Sequence, residues 1–436
     1  MLSRGELAAL SKNELVERAI ELQTQLAEVQ RSVPAPNSRE EKERHSERKR
    51  KGRSIAFEAK RLIALKVAYI GWMFHGFQIQ KSKEDTVEGR LFEALKRTQL
   101  IEESASMSDV DWSRGGRTDV GVSAIGNVVG VRVRCKQNVE MDYAKILNGV
   151  LPDGLRVLSW GPAVEAGVMV AGRRRMRENQ CFDARNDALS RTYKYLFFKK
   201  NLDIGLMREG AKAFIGQHDY RNYCKIDVND TKASYVRVIL DVQINPVKSS
   251  RLCLDQNLFE IVVKGYAFLW HQIRCMAAVL FRVGSRLEPP SIVERLLRVG
   301  DGAEFSGGKP TYRLASEIPL ILYDCEYPPG IAPFCDYQAP GGMVSKRMDD
   351  PFMDTWLRYA MRAAVTSSFI REVDAIPIEG GALWADERNS SEPLILDKDP
   401  EKLALPKRRR EGTIDKKQEL HRRKLDRKNK AKSASM

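Results

Sequence analysis

The sequence predicts an α+β fold, with antiparallel sheet and helices packed against it. Three observations lead there. Between residues 61 and 160, apolar strands alternate with short amphipathic helices, but no βαβ unit of about 30 residues repeats, which argues against a doubly wound parallel sheet. Residues 190–198 alternate with the period of two that a half-buried strand requires, and 237–247 and 258–265 also read as strands. An apolar helix over 268–281 follows directly and supplies a core-facing layer.

Composition narrows the function. The chain has 436 residues, enough for two to three domains or one large double domain. A net charge of +15 favours an acidic partner, nucleic acid ahead of an anionic membrane. The seven cysteines are scattered, with no zinc or thioredoxin spacing, and read as reduced thiols of an intracellular protein. The five histidines show no metal-ligand spacing either. The N-terminus lacks an apolar signal core, and no run of 18 apolar residues predicts a membrane span.

In chain order, Ser11-Lys12-Asn13-Glu14 is a capping box. It opens a run with Leu15, Ala19, Leu22, Leu26 and Val29 at four-three spacing, a short heptad seam within 1–33. Such a seam suits either a partner helix or packing on its own domain. Residues 34–60 form a charged linker. An N-terminal half then spans 61–170 and a C-terminal half 171–330. In the first half, a strand from Leu62 leads into the Gly-punctuated aromatic loop 69–80. Asp85-Thr86-Val87-Glu88 caps a helix with Val87, Leu91, Ala94 and Leu95 on one face. A strand over 127–135, a helix from Tyr143 ended by Pro152-Asp153-Gly154, and a strand over 155–160 complete it.

In the second half, alternation puts Tyr193, Tyr195 and Phe197 on one strand face. Residues 211–215 read as helical. The polar-aromatic cluster 216–225 suits either stacking on unpaired bases or a mixed helix terminus. Arg274 lies among Ile273, Met276 and Ala277, where a guanidinium requires an anionic partner. Gly302 to Lys309 has glycines at phosphate-loop spacing but Gly308 where lysine is needed, so it is not a phosphate loop. A strand over 319–327 closes the half. Residues 331–399 form an extension with a helix near 354–366. The basic tail 400–436 is expected to be disordered on its own. Its Lys407-Arg408-Arg409-Arg410 and Arg422-Arg423-Lys424 runs read as a nuclear signal or an RNA-gripping arm.

The densest chemistry lies in 113–124. Gly115 and Gly116 allow a tight backbone path, and Arg114 and Arg117 supply forks suited to phosphate. Asp119 is the one carboxylate between them and an apolar strand. A carboxylate near arginine stays ionised and can act as base or nucleophile. By itself the run also fits a glycine turn with a surface Arg–Asp pair.

Four segments in fixed order resolve that ambiguity: Gly115-Gly116-Arg117-Thr118-Asp119, the loop carrying Tyr69, Gly71, Gly76, Phe77, Gln78 and Gln80, the strand Arg191-Thr192-Tyr193-Lys194-Tyr195, and the 268–284 helix. Together they resemble the TruA family of tRNA pseudouridine synthases over roughly residues 61–327. Ser123 departs from the family pattern, which commonly has histidine there. The 218–225 cluster resembles the eukaryotic branch that acts on positions 38 and 39 of the anticodon stem-loop, and less specifically so do the N-terminal helix and basic tail.

The resemblance implies a pseudouridine synthase fold of two related halves, each an antiparallel sheet with helices, around a central basic cleft. It implies Asp119 as the essential carboxylate, with Arg274 paired to it. Tyr193 would pack on the flipped uracil, Leu269 would line the uracil pocket, and Arg117 would engage the RNA backbone or fill the vacated stack. Arg114 is a further candidate contact to substrate. The partner implied is tRNA, bound chiefly through phosphates, by a homodimer of the nucleus and cytoplasm that needs no metal or small-molecule cofactor. The rival reading is a non-catalytic tRNA-binding or tRNA-folding protein on the same scaffold.

Overall fold

Leu62 to Tyr69 offer apolar side chains to both faces of a strand, and a central strand covered on both sides results. This is β1 (Lys60–Tyr69), buried along almost its whole length. The computed structural model describes residues 59–80, 85–136, 140–165, 181–230, 234–247, 257–331, 350–374 and 404–433. They all lie in the unit Ala59–Met436. The expected heptad seam and charged linker lie outside the described residues.

Helix α1 (Val87–Arg97) starts where Thr86 accepts a 3.2 Å hydrogen bond from the Gly89 amide, and Val87, Leu91, Ala94 and Leu95 are buried as their spacing predicts. Short β2 (Ser113–Arg114) and long β3 (Ser123–Arg134) follow. Helix α2 (Tyr143–Asn148), capped by Asp142, leads to β4 (Leu155–Pro162). The second half begins with β5 (Ser190–Phe198), where Tyr195 and Phe197 are buried as the alternation requires. Helix α3 (Ile204–Ala211) starts earlier than the sequence suggests, because Asp203 caps it through the Leu206 amide; 211–215 is mostly a 3-10 turn. Then come β6 (Gly216–Asp219), β7 (Val236–Pro246), β8 (Leu258–Gly265), α4 (Gln272–Gly284), α5 (Ile292–Leu297) and β9 (Leu320–Glu326).

The strands make one sheet in the order β4-β1-β3-β9-β5-β8-β7-β6, with β2 on β3. Neighbours are antiparallel except β3 and β9, which pair in parallel at Ser123–Ile321 and Ala124–Leu322. Each half contributes antiparallel strands, as expected, and the parallel β3–β9 pairing joins the two into one continuous sheet. Strand β9 comes last in sequence but inserts between the halves, so the edges of β3 and β5 are both paired rather than left open. Two apolar cores lie along the sheet, one around β1, α1 and β3, the other around β8 and α4. Tyr193 packs against both.

The extension contains α6 (Asp350–Asp374), longer than the helix expected near 354–366. The tail departs further from expectation. Residues 404–412 dock on the C-terminal half, with Leu405 fully buried and Arg408 4% exposed, before α7 (Ile414–Ser433). The charge run predicted disorder, but the apolar Leu405 at its root packs into the second core. Among the described residues, no helix is long and apolar enough to cross a membrane.

Candidate active site

The backbone between β2 and β3 is clamped from several sides. Asn127, fully buried, brackets Gly116 with its amide: Oδ1 accepts from the Gly116 amide at 3.1 Å and Nδ2 donates to the Gly116 carbonyl at 3.0 Å. Thr118 is buried and shares a 2.7 Å hydrogen bond with the Tyr69 hydroxyl, while its carbonyl accepts from the Phe77 amide at 3.1 Å. The space beside Gly115 is filled by Tyr327 and Asn127, so this glycine serves close packing of protein on protein. At Gly71 a Cβ would stand 2.2 Å from the Val122 carbonyl, so no larger residue fits. Ser123, where histidine is common in the family resembled, accepts from the Gly71 amide at 2.9 Å. The 69–80 loop and the Asp119 turn are thus one packed unit.

Asp119 projects from that unit with its side chain 40% exposed. Its two oxygens have separate partners, both from the residues just before α4. The Trp270 indole donates to Oδ1 at 3.2 Å, and Nε2 of His271 lies 3.3 Å from Oδ2. Burial pushes the Asp119 carboxyl up, but hydrogen bonding and charge from His271, the Trp270 donor and the charge of Arg274 outweigh it. The net effect holds it below the usual aspartate value, so it is ionised at neutral pH.

The direct Asp119–Arg274 pair expected from the resemblance is not formed. Arg274 donates to the Ala315 carbonyl at 2.7 Å and to Glu317 at 2.9 Å, and it influences Asp119 only through its charge. The anion that an arginine in this helix needs is Glu317, which lies outside the segments that carry the resemblance.

The other predicted residues divide into two groups. Tyr193 is close enough to Asp119 to feel its charge, and its ring meets Phe268 edge-on at 5.0 Å. Burial, with smaller contributions from Cys325 and Asp119 against that of Arg191, holds its phenol well above the ordinary tyrosine value. The hydroxyl therefore stays protonated, and the ring is a packing surface rather than a base. Leu269 is half-buried against the second core, next to Trp270. Arg117 is exposed and donates to Gln78 at 3.1 Å.

Arg114 turns inward instead. Its guanidinium pairs at 2.9 Å with Glu88, which is 1% exposed and also accepts from Trp112 at 2.8 Å and the Ile79 amide at 3.0 Å. An arginine paired with a buried carboxylate positions the loop, while about a quarter of the Arg114 side chain stays exposed. The 216–225 cluster is also reassigned in part. Tyr220 and Tyr223 are fully buried with their hydroxyls on the Phe214 and Val293 carbonyls, so neither can stack on a base. Lys225 remains exposed, with its Nζ 4.2 Å above the Trp270 ring.

The sequence reading gave no site role to four residues: Trp270, His271, Glu88 and Arg191. The first two were visible only as neighbours of Leu269 and Arg274. Arg191, 9% exposed, donates to the carbonyls of Gly115, Tyr266 and Arg185 at 2.9, 3.0 and 2.7 Å. It fastens the Asp119 loop to the segment that precedes Trp270. The result is an ionised, half-open carboxylate with an aromatic platform, and no cluster able to hold a metal among the described residues.

Comparison with known proteins identifies relatives of the whole chain. A family model described as tRNA pseudouridine synthase matches residues 211–328. The chain is 34% identical over 353 residues to the human tRNA pseudouridine(38/39) synthase, covering 76% of this chain and 68% of that protein. It is 36% identical over 324 residues to the Saccharomyces cerevisiae protein of the same name, covering 71% and 66%. An archaeal relative, tRNA pseudouridine synthase A of Methanococcoides burtonii, is 30% identical over 305 residues, covering 70% and 95%.

Proposed function

Because the chain belongs to the TruA-type tRNA pseudouridine synthases, enzymes that isomerise uridine in tRNA, we propose that it acts at positions 38 and 39 of the anticodon stem-loop, with Asp119 as the reacting carboxylate. The observation that carries this reading is the half-exposed, ionised Asp119, held between Trp270 and His271 on a rigid turn. Position 38/39 is supported by the eukaryotic relatives, which are tRNA pseudouridine(38/39) synthases.

The reaction breaks the N1–C1′ bond, turns the uracil and joins C5 to C1′. A proton leaves C5 and one is gained at N1, so product and substrate are isomers and no redox partner is needed. Asp119 can add to the base, attack C1′ or remove a sugar proton, and each route needs an ionised carboxylate beside a base taken out of the stack. Tyr193 offers the apolar wall for that base. Arg274 sets the local charge, Leu269 borders the pocket, and Arg117 faces solvent where an RNA backbone would pass.

The proposal includes a homodimer. In its favour, α6 exposes the large apolar side chains of Met353, Leu357, Met361, Val365 and Phe369. Light scattering at two concentrations tests it. It also includes residence in nucleus and cytoplasm, for which Arg422-Arg423-Lys424 is the better signal because Arg408 of the other run is buried.

The test of position is direct. Wild-type protein is incubated with tRNA transcripts carrying uridine at 38, at 39, or elsewhere in the stem-loop, and pseudouridine is mapped by chemical labelling and primer extension. Signal is expected at 38 and 39. Modification confined to other positions would overturn the assignment.

A further inference from the structure

We propose that helix α7 is a fixed RNA-binding arm, fastened to the C-terminal half by the strap 404–412. The proposal rests on tRNA being the substrate. A lysine- and arginine-rich tail is commonly solvated, and alone it would carry no claim. Here the root of the tail is built into the enzyme. Leu405 is fully buried and its amide donates to Glu288, itself 4% exposed. The strap pairs with 309–311 as a short antiparallel ladder: the Thr311 amide donates to Arg409 and the Glu411 amide to Lys309, each at 2.9 Å. Arg410 covers the ring of Phe305 at 4.3 Å.

Glu411 then joins root to arm. Its carboxylate lies 3.7 Å from Nζ of Lys309, a lysine only 6% exposed, and 2.7 Å from Nζ of Lys417 in the first turns of α7. The buried lysine needs that anion, and the same anion holds the helix. Lys309 also donates to the Cys224 carbonyl at 3.5 Å. The next residue, Lys225, donates its amide to the Trp270 carbonyl at 2.9 Å, and Trp270 bonds Asp119. The root of the arm and the frame of the active site therefore share one short segment.

Beyond the root, the residues of Ile414–Ser433 include nine lysines and arginines against three acidic residues. Arg422, Arg423, Lys424 and Arg427 are exposed. A helix of this length extends about 30 Å, enough to follow several phosphates of a folded RNA. Density of positive charge on a rigid mount suits a polyanion of fixed shape. An import receptor or an acidic protein would be served equally well by a free tail.

The test uses the full-length protein and a tRNA transcript, with affinity read by fluorescence anisotropy across a range of salt. In Arg422→Ala/Arg423→Ala/Lys424→Ala/Arg427→Ala, tRNA affinity should fall by roughly tenfold or more, and the slope of log K against log salt should become shallower by about 2 to 3. Glu411→Ala gives the discriminating sign. It removes an anion, so general charge attraction predicts tighter binding; a strapped arm predicts weaker binding, because the mount is loosened. Unchanged affinity and salt slope in the quadruple variant, or tighter binding by Glu411→Ala, would overturn the proposal. Since binding is read without turnover, a wild type that binds tRNA but forms no pseudouridine would defeat the functional reading and leave the arm standing.

Discussion

His271 brings its Nε2 to 3.3 Å from Oδ2 of Asp119, from a backbone position with a φ of 61°, immediately before helix α4. Left-handed backbone costs a non-glycine residue about 1 kcal/mol, and the surrounding sheet and helix hold it. With Nε2 directed at the carboxylate, Nδ1 is buried without a hydrogen-bond partner among the described residues. A side chain kept in that position at such cost is there for Asp119.

The first prediction concerns pH. His271 and Trp270 both act to lower the Asp119 pKa. The ionised form is present above that lowered value and lost as pH falls through it. Removing either donor raises the value, so the acid limb of turnover should move to higher pH in His271→Ala and in Trp270→Phe. Single-turnover rates across the acid range check this. A limb unmoved in both variants would mean that neither group tunes Asp119.

Arg274 and Glu317 should act in opposite directions. Arg274→Leu withdraws a positive charge from Asp119 and leaves Glu317 without its partner, so the acid limb moves up and turnover falls by roughly 100-fold. Glu317→Gln keeps the guanidinium and frees it from its present partner, so the limb moves down. The pair of pH profiles, measured on one tRNA, decides whether the arginine serves Asp119 by its charge or serves only the fold.

Glu88 is a structural keystone rather than a site residue. Glu88→Ala leaves Arg114 and Trp112 without their buried acceptor and releases the Ile79 amide. A loss of about 3 kcal/mol is expected, read as a lower urea midpoint. Turnover should fall as well, because the 69–80 loop lies against the Asp119 turn.

Much of this was legible in the sequence, because its signals are local. Capping, alternation and apolar runs placed most strands and helices, and the glycine-arginine-aspartate run located Asp119. What was not legible depends on contacts between distant segments. Arg274 announced its need for an anion, but the choice of Glu317 over Asp119 is a matter of how β9 and its approach pass α4. Arg114 looked like a phosphate fork; only the fold reveals that Glu88, which reads as a capping residue, is buried beneath it. Tyr220 and Tyr223 looked like stacking platforms until the core closed over them. The tail read as disordered because charge dominated its composition, and the single buried leucine at its root was too small a signal to outweigh that.

The central claim is that Asp119 performs the chemistry on a bound tRNA. Asp119→Asn preserves the side chain's size and removes its charge. With an anticodon stem-loop tRNA transcript, pseudouridine formation should fall by roughly 1,000-fold or more while tRNA affinity stays within about threefold of wild type. Equal pseudouridine formation by the two proteins would contradict the account.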